Sequence, residues 1–271
     1  PGRDQQWYEN TRKSIPEREM GGLTPALYMG KNYPRTIEEA LSMPQTIAAF
    51  DHKVLDSMME DTRNPIKSIR DGIDPLLVHI YQEPAIGQFY VAASDTSHGL
   101  GKDYAVTVVM NVKTGVVVAD IMSNRLSPEE LALHSVRLLD LFNKPKWYPE
   151  DNDWGRVTIT TAQNLGYNNI GYSDEKNTKL GWHTDEKSRT DLFGGLIPAI
   201  NNHQITIYNK DGLKQFYDLI RNPEKSGRIE AAGTRHDDYP MAVGIAWRMK
   251  DKVITSSMPM NPVHSLTFVR S

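Results

Sequence analysis

Apolar and polar residues alternate most clearly from Gly87 onward. Phe89, Val91 and Ala93 fall on one face of a predicted strand that Asp95 closes, so Asp95 leaves the sheet on its buried side, where the chain turns through Thr96-Ser97-His98-Gly99-Leu100-Gly101. A second run, Ala105-Val106-Thr107-Val108-Val109-Met110-Asn111-Val112, a turn at Lys113-Thr114-Gly115 and a third run over 116–121 complete a predicted antiparallel meander. Ser127-Pro128-Glu129-Glu130 predicts a helix start, with Ser as N-cap and Pro in the first turn, ahead of Leu131, Leu133, Val136, Leu138, Leu139 and Leu141. A loop rich in proline and tryptophan follows. Residues 156–161 are then expected to form a fourth strand, returned beside the first by the crossover helix.

Further on, the pattern predicts a helix from Thr190, a short strand over 205–208, a helix over 213–220 and a strand over 227–232. Met241, Ala242, Ile245 and Ala246 follow His236-Asp237-Asp238 at helical spacing. That places the acids in the first turn of a helix whose other face packs on a sheet. Residues 1–85 differ: they carry many prolines, charged helical stretches such as Thr36-Ile37-Glu38-Glu39-Ala40-Leu41, and no clearly alternating strand. They are expected to form a helical or irregular lead segment before a main domain over 86–271.

Composition narrows the chemistry. The chain has 271 residues, 39% hydrophobic and 24% charged, which suits an ordinary globular protein with a core. No apolar run approaches the ~20 residues of a membrane span, and the N-terminus lacks a signal peptide's apolar core, so an intracellular protein without membrane attachment is expected. With no cysteine, disulfides and thiolate zinc sites are excluded; a metal would be held by oxygen or imidazole, which favours Mg²⁺ or Mn²⁺. The net charge of -3 argues against coating nucleic acid by bulk electrostatics. A nuclease pairing a local basic surface with an acidic pocket stays compatible, the candidate cations being Lys176, Lys179, Lys187, Arg189, Arg228 and Arg235. Met29-Gly30-Lys31-Asn32 lacks the upstream glycine and the preceding apolar strand of a phosphate-binding loop, so it reads as a turn and no ATP binding is expected.

Three antiparallel strands followed by alternating helices and strands give an α/β layout with a mixed sheet flanked by helices, an order that matches a ribonuclease H-like fold. Read with it, several segments resemble the nuclease domain of a tailed-bacteriophage terminase large subunit, the motor that packages and cuts viral DNA. They are Asp95 with the Gly99-Leu100-Gly101-Lys102-Asp103-Tyr104 loop, Gly181-Trp182-His183-Thr184 with Arg189, and Gly227-Arg228-Ile229-Glu230-Ala231 leading into His236-Asp237-Asp238 and Ala242. The lead segment, from Trp7-Tyr8 through Tyr33-Pro34-Arg35-Thr36-Ile37-Glu38-Glu39-Ala40, resembles the stretch that joins the packaging ATPase to the nuclease. By that resemblance the chain is the nuclease portion of a longer protein.

The resemblance implies a metal-dependent endonuclease of the host-cell cytoplasm. It would cut concatemeric viral double-stranded DNA during packaging, with the ATPase domain, the small terminase subunit and the portal as partners. It further implies two divalent cations, Mg²⁺ or Mn²⁺, held by carboxylates from the first strand, a later central strand and a C-terminal helix. Asp95 and Asp238 are the first and third of these, Asp237 is an adjacent alternative to Asp238, and Asp103 an accessory ligand. His236 is expected to cap or support the site, and Lys102 to support it or touch DNA. Trp182 and Arg189 read either as DNA contacts or as a core tryptophan and an ion-paired arginine. The second acid is expected at the end of the fourth strand, where Thr161 or Ala162 stands. Reduced cleavage is therefore expected, with Asp153, Asp174 or Glu175 as substitutes. The alternatives are a nuclease-like module that grips DNA without turnover, or another ribonuclease H-like enzyme such as a resolvase or transposase.

Overall fold

A computed structural model describes residues 4–16, 28–29, 32–35, 47–66, 73–174, 176, 178–222, 225, 227–233 and 235–254. The turn expected at Gly30-Lys31, the helical stretch over 36–41 and Glu175 lie outside the described residues. In chain order the elements are α1 (Gln5–Ser14), α2 (His52–Glu60), β1 (Val78–Ile80), β2 (Tyr90–Asp95), β3 (Ala105–Asn111), β4 (Val117–Ser123), α3 (Pro128–Leu141) and β5 (Lys146–Pro149). They are followed by α4 (Gly155–Asn164), α5 (Glu186–Asn201), α6 (Lys210–Tyr217), β6 (Leu219–Asn222), β7 (Arg228–Ala231) and α7 (Asp238–Ile254).

The main sheet runs β1-β4-β3-β2-β5. The meander β2-β3-β4 is antiparallel as expected, and β5 alone is parallel, pairing with β2 from Val91↔Lys146 to Ser94↔Pro149. Between β4 and β5 the chain crosses through α3, whose Ser127 side chain accepts from Glu130 N–H while Glu130 reaches back to the Ser127 N–H. This reciprocal cap sets the helix start as the sequence predicts. Helices cover both faces of the sheet. Val91 and Ala93 of β2 pack in the core beneath α5, α6 and α7, whereas Tyr90 and Ala92 pack beneath α3 and α4. All seven residues of β3 are buried, as suits a strand with neighbours on both edges and both faces.

Several expectations change. Residues 156–161 are helical, within α4, with Thr158, Ile159 and Ala162 on its buried side. Their β-branched run favours a strand locally, but packing of the i, i+1, i+4 face against α3 and β5 decides the element. The strand parallel to β2 is instead Lys146–Pro149, inside the proline and tryptophan loop; at four residues it is too short for alternation to register. The lead segment also gives a strand, since β1 pairs with β4 from Val78↔Ile121 to Ile80↔Ala119. Residues 205–208 contribute just an isolated bridge, Val116↔Thr206, and residues 219–222, expected in part as helix, form β6. Among the described residues no helix is long and apolar enough to cross a membrane.

Candidate active site

The carboxyl ends of β2 and β5 lie side by side because the two strands are parallel neighbours. Asp95 closes β2; Glu150 follows β5 directly, and its backbone N–H donates to the Ser94 carbonyl at 2.8 Å. The Asp95 and Glu150 carboxyl groups stand close enough to share a hydrogen bond. On the α7 side of the sheet, Asp238 opens the helix, and its carboxylate accepts from the Tyr104 N–H at 3.1 Å. Burial raises the Asp95 carboxyl well above the usual carboxylate range, and the charges of Glu150, Asp238 and Asp237 and the hydrogen bond to Glu150 add to it. Burial likewise pushes Asp238 up to about 7, with Asp237 and Asp103 contributing and the Tyr104 N–H opposing. Carboxylates whose protonation is favoured by one another's charge form a site short of positive charge.

Glu150 is the acid that sequence reasoning missed. Thr161 and Ala162, where its absence was expected, lie in α4 instead, and Ala162 is fully buried. The available signal was positional: an acid directly after a short apolar run, behind the crossover helix. Behind Glu150 the backbone is pinned by Trp182, whose N–H donates to the Pro149 carbonyl and whose carbonyl accepts from Asp151 N–H, both at 2.8 Å. Trp182 is 5% exposed and packs in the core. Asn152 links the Glu150 carboxylate, at 3.4 Å, to the Thr184 carbonyl, at 2.9 Å, and His183 Nδ1 lies 2.7 Å from Asp151 Oδ1.

The two neighbouring acids at the start of α7, Asp237 just before the helix and Asp238 opening it, separate cleanly. Asp237 forms an ion pair with Arg189, whose Nε also donates to the Ile229 carbonyl at 3.0 Å and whose guanidinium stacks over Phe193. Arg189 is thereby an internal tether. Asp238 points instead to Tyr104. His236 stands beside it, Nδ1 3.6 Å from Asp238 Oδ2 and 3.8 Å from Asp103 Oδ1, edge-on to the Tyr104 ring. Asp103 is on the exposed loop after β2, with Lys102 exposed beside it. Asp153 is exposed in the turn before α4, and Asp174 is occupied by Thr178 and the Lys179 N–H.

Asp120 is a further missed residue. Fully buried in β4, it receives Asn209 Nδ2 at 3.1 Å on each oxygen and Tyr239 Oη at 2.7 Å, and lies 2.9 Å from His79 Nδ1. That hydrogen bond holds the His79 ring above its ordinary pKa against the opposing effect of burial. Because Tyr239 directly follows Asp238 and its N–H donates to Gln215 Oε1 at 2.8 Å, the network fixes the first turn of α7 against the sheet.

The candidate cations do not form one basic face. Lys179 and Lys187 line a cleft of about 430 Å³ with His183 and Arg248, while Arg228 and Arg235 pair with Glu230 and Asp218. Among the described residues no group of three or more acidic or imidazole side chains is drawn in tightly enough to enclose an ion. The donor set still suits a hard divalent cation: all oxygen, short of positive charge, and gathered at the carboxyl ends of β2 and β5.

No protein-family model and no curated protein matches the sequence. In structure, the chain is similar to the large terminase nuclease of thermophilic phage G20c with bound magnesium, at a TM-score of 0.56 and 15% identity, over 75% of this chain and 98% of that one. The cobalt-bound form of the same nuclease gives the same values. The large terminase nuclease domain of Thermus phage P74-26 matches at a TM-score of 0.53 and 16% identity, over 72% and 94%. The chain therefore has the ribonuclease H-like fold of phage large-terminase nuclease domains.

Proposed function

We propose that this chain is a divalent-metal-dependent DNA endonuclease acting on double-stranded viral DNA during packaging, with Mg²⁺ or Mn²⁺ as cofactor. The observation that supports it most is the convergence of Asp95, Glu150 and Asp238 from two parallel strand ends and a helix start. Asp95, Glu150 and Asp238 would hold the cations. When bound, such ions supply an activated water and counter-charge for the scissile phosphate. The protein's own part is positioning: Ser94 and Trp182 fix the backbone of Glu150, Tyr104 orients Asp238, and Arg189 keeps Asp237 turned aside. His236 stands at the edge of the site, in reach of both Asp238 and Asp103.

Taking Glu150 as the second acid removes the motive for reading the chain as a silent DNA-gripping module. Assignment to a packaging motor, with ATPase, small-subunit and portal partners in a host cytoplasm, draws on the likeness to terminase nuclease domains. Plasmid nicking in Mg²⁺ or Mn²⁺, abolished by Asp95→Asn and by Asp238→Asn, is the expected result. Cleavage that survives either change, or that needs no divalent ion, would refute the assignment.

A further inference from the structure

Two loops rise at the carboxyl ends of β2 and β5 and meet at the rim of the carboxylate site. The first carries His98 and Leu100, the second Trp154. Leu100 is 74% exposed and Trp154 43% exposed, yet neither loop is slack. Gly99 and Gly101 take φ of 78° and 83°, a Cβ on Gly99 would lie 2.5 Å from the Leu126 carbonyl oxygen, and Gly101 N–H donates to the Asn124 carbonyl at 2.9 Å. The second loop folds back hard on the site: Gly155 N–H donates to the Asn152 carbonyl at 2.7 Å, and a Cβ on Gly155 would lie 1.6 Å from the Glu150 carbonyl oxygen. Gly155, the residue directly after Trp154, is thus packed against the backbone of Glu150. The His98 ring stands edge-on to the Trp154 indole, centroids 4.1 Å apart at 77°, and Thr96 Oγ1 donates to Thr158 Oγ1 at 3.4 Å, tying the first loop to α4.

Apolar and aromatic surface held out to water by a pinned backbone contributes nothing to folding. It comes from two segments distant in sequence that converge at the acids. Ile86, which is also exposed, lies at the other end of β2. A DNA strand with a phosphate at Asp95, Glu150 and Asp238 would carry its neighbouring bases only ~3.4 Å of rise away per nucleotide, onto this rim. Bases within an intact duplex offer no free face, whereas an unstacked base offers a π surface that aromatic side chains take without regard to sequence. Apolar side chains such as leucine are suited to wedge at an opened base step.

Building on the nuclease reading above, we propose that Trp154, braced by His98, and Leu100 take an unstacked base of the strand at the carboxylate site. DNA with a locally unpaired step is then bound in preference to uniform duplex.

The test is fluorescence anisotropy in Mg²⁺ with the Asp95→Ala chain, which keeps the probes intact. Three labelled DNAs are compared: a duplex, the same duplex with a short mismatched bubble, and that bubble built from abasic sugars. The bubble is expected to bind tighter than the duplex and to lose that advantage when its bases are removed. Adding Trp154→Ala is expected to weaken the bubble by about 5- to 150-fold, the worth of one base–aromatic stack, and to leave the abasic probe unchanged. Trp154→Phe restores most of the loss, and Leu100→Ala weakens the same probe selectively. Equal weakening of all three probes, or no weakening of the bubble, overturns the proposal. If the original chain cleaves plasmid while Trp154→Ala shows no base-dependent loss, only this inference fails; a chain that neither cleaves nor binds any probe overturns the nuclease reading with it.

Discussion

The Glu150 N–H donates to the Ser94 carbonyl at 2.8 Å, extending the β2/β5 ladder by one residue beyond the strand. Since Ser94 directly precedes Asp95, that bond sets the spacing of the two acids. Ser94 itself is locked from the opposite face, where its hydroxyl lies 2.7 Å from Thr107 Oγ1 and accepts Trp147 Nε1–H at 2.8 Å. A buried hydroxyl network beneath the sheet thus supports the carboxylate pair above it.

Gly155→Ala tests that geometry without touching an acid. A methyl group there would collide with the Glu150 carbonyl oxygen, 1.6 Å away, so either the 150–155 turn opens or Glu150 shifts. Metal-dependent cleavage is expected to fall at least tenfold together with a drop in Tm of several degrees, consistent with ~1–3 kcal/mol of overpacking strain. Unchanged Tm and unchanged cleavage would show that the turn is not tight.

Ala162→Glu is expected to destabilise rather than restore a ligand. Ala162 is fully buried on the inner side of α4, where an added carboxylate would lose its hydration at a cost of several kcal/mol. Thermal melts should show a large fall in Tm with no gain in cleavage. Higher activity would return the second acid to this helix.

Without divalent ions the protein should lose stability as pH rises. Asp238 is pushed up to about 7, mainly by burial, and Asp95 is raised as well, while an unfolded aspartate titrates near ~3.9. Between about 4 and 7 the folded state keeps a proton that the unfolded chain has released. The contribution of Asp238 is therefore complete below about 4 and lost as pH passes about 7, at up to ~1.4 kcal/mol per pH unit. Urea unfolding in chelator at pH 5 and pH 8 should show the fall, Asp238→Asn should flatten it, and added Mg²⁺ or Mn²⁺ should offset it at pH 8. Parallel pH curves for both proteins would count against this picture.

Arg189→Gln separates the adjacent acids at the start of α7. It removes an ion pair and a hydrogen bond at a site where Arg189 is 12% exposed, and a loss of about 2–3 kcal/mol in urea unfolding is expected. Asp237→Asn should lower stability while leaving most metal-dependent cleavage, whereas Asp238→Asn should abolish cleavage. The reverse ranking would make Asp237 the ligand.

Much of this was legible in the chain. The meander, the capped α3, and Asp95 and Asp238 at element ends all follow from period, cap chemistry and turn residues, because these features are local. Glu150 was hidden because β5 is four residues long and buried on both faces, so Trp147 and Tyr148 show no alternation. The β-branched run after it imitated a strand that tertiary packing overrules. Asp120 and Arg189 owe their roles to partners distant in sequence, Tyr239 and Asp237, which only the folded arrangement brings together.

The most direct measurement is plasmid cleavage in Mn²⁺ by the original chain and by Glu150→Gln, an isosteric change that removes one charge. Loss of an outer partner alone costs ~10–100-fold at metal sites, so a direct ligand should cost more than about a hundredfold with Tm largely retained. Cleavage by Glu150→Gln at the original rate would contradict the account, because the carboxylate that completes the site would then be dispensable.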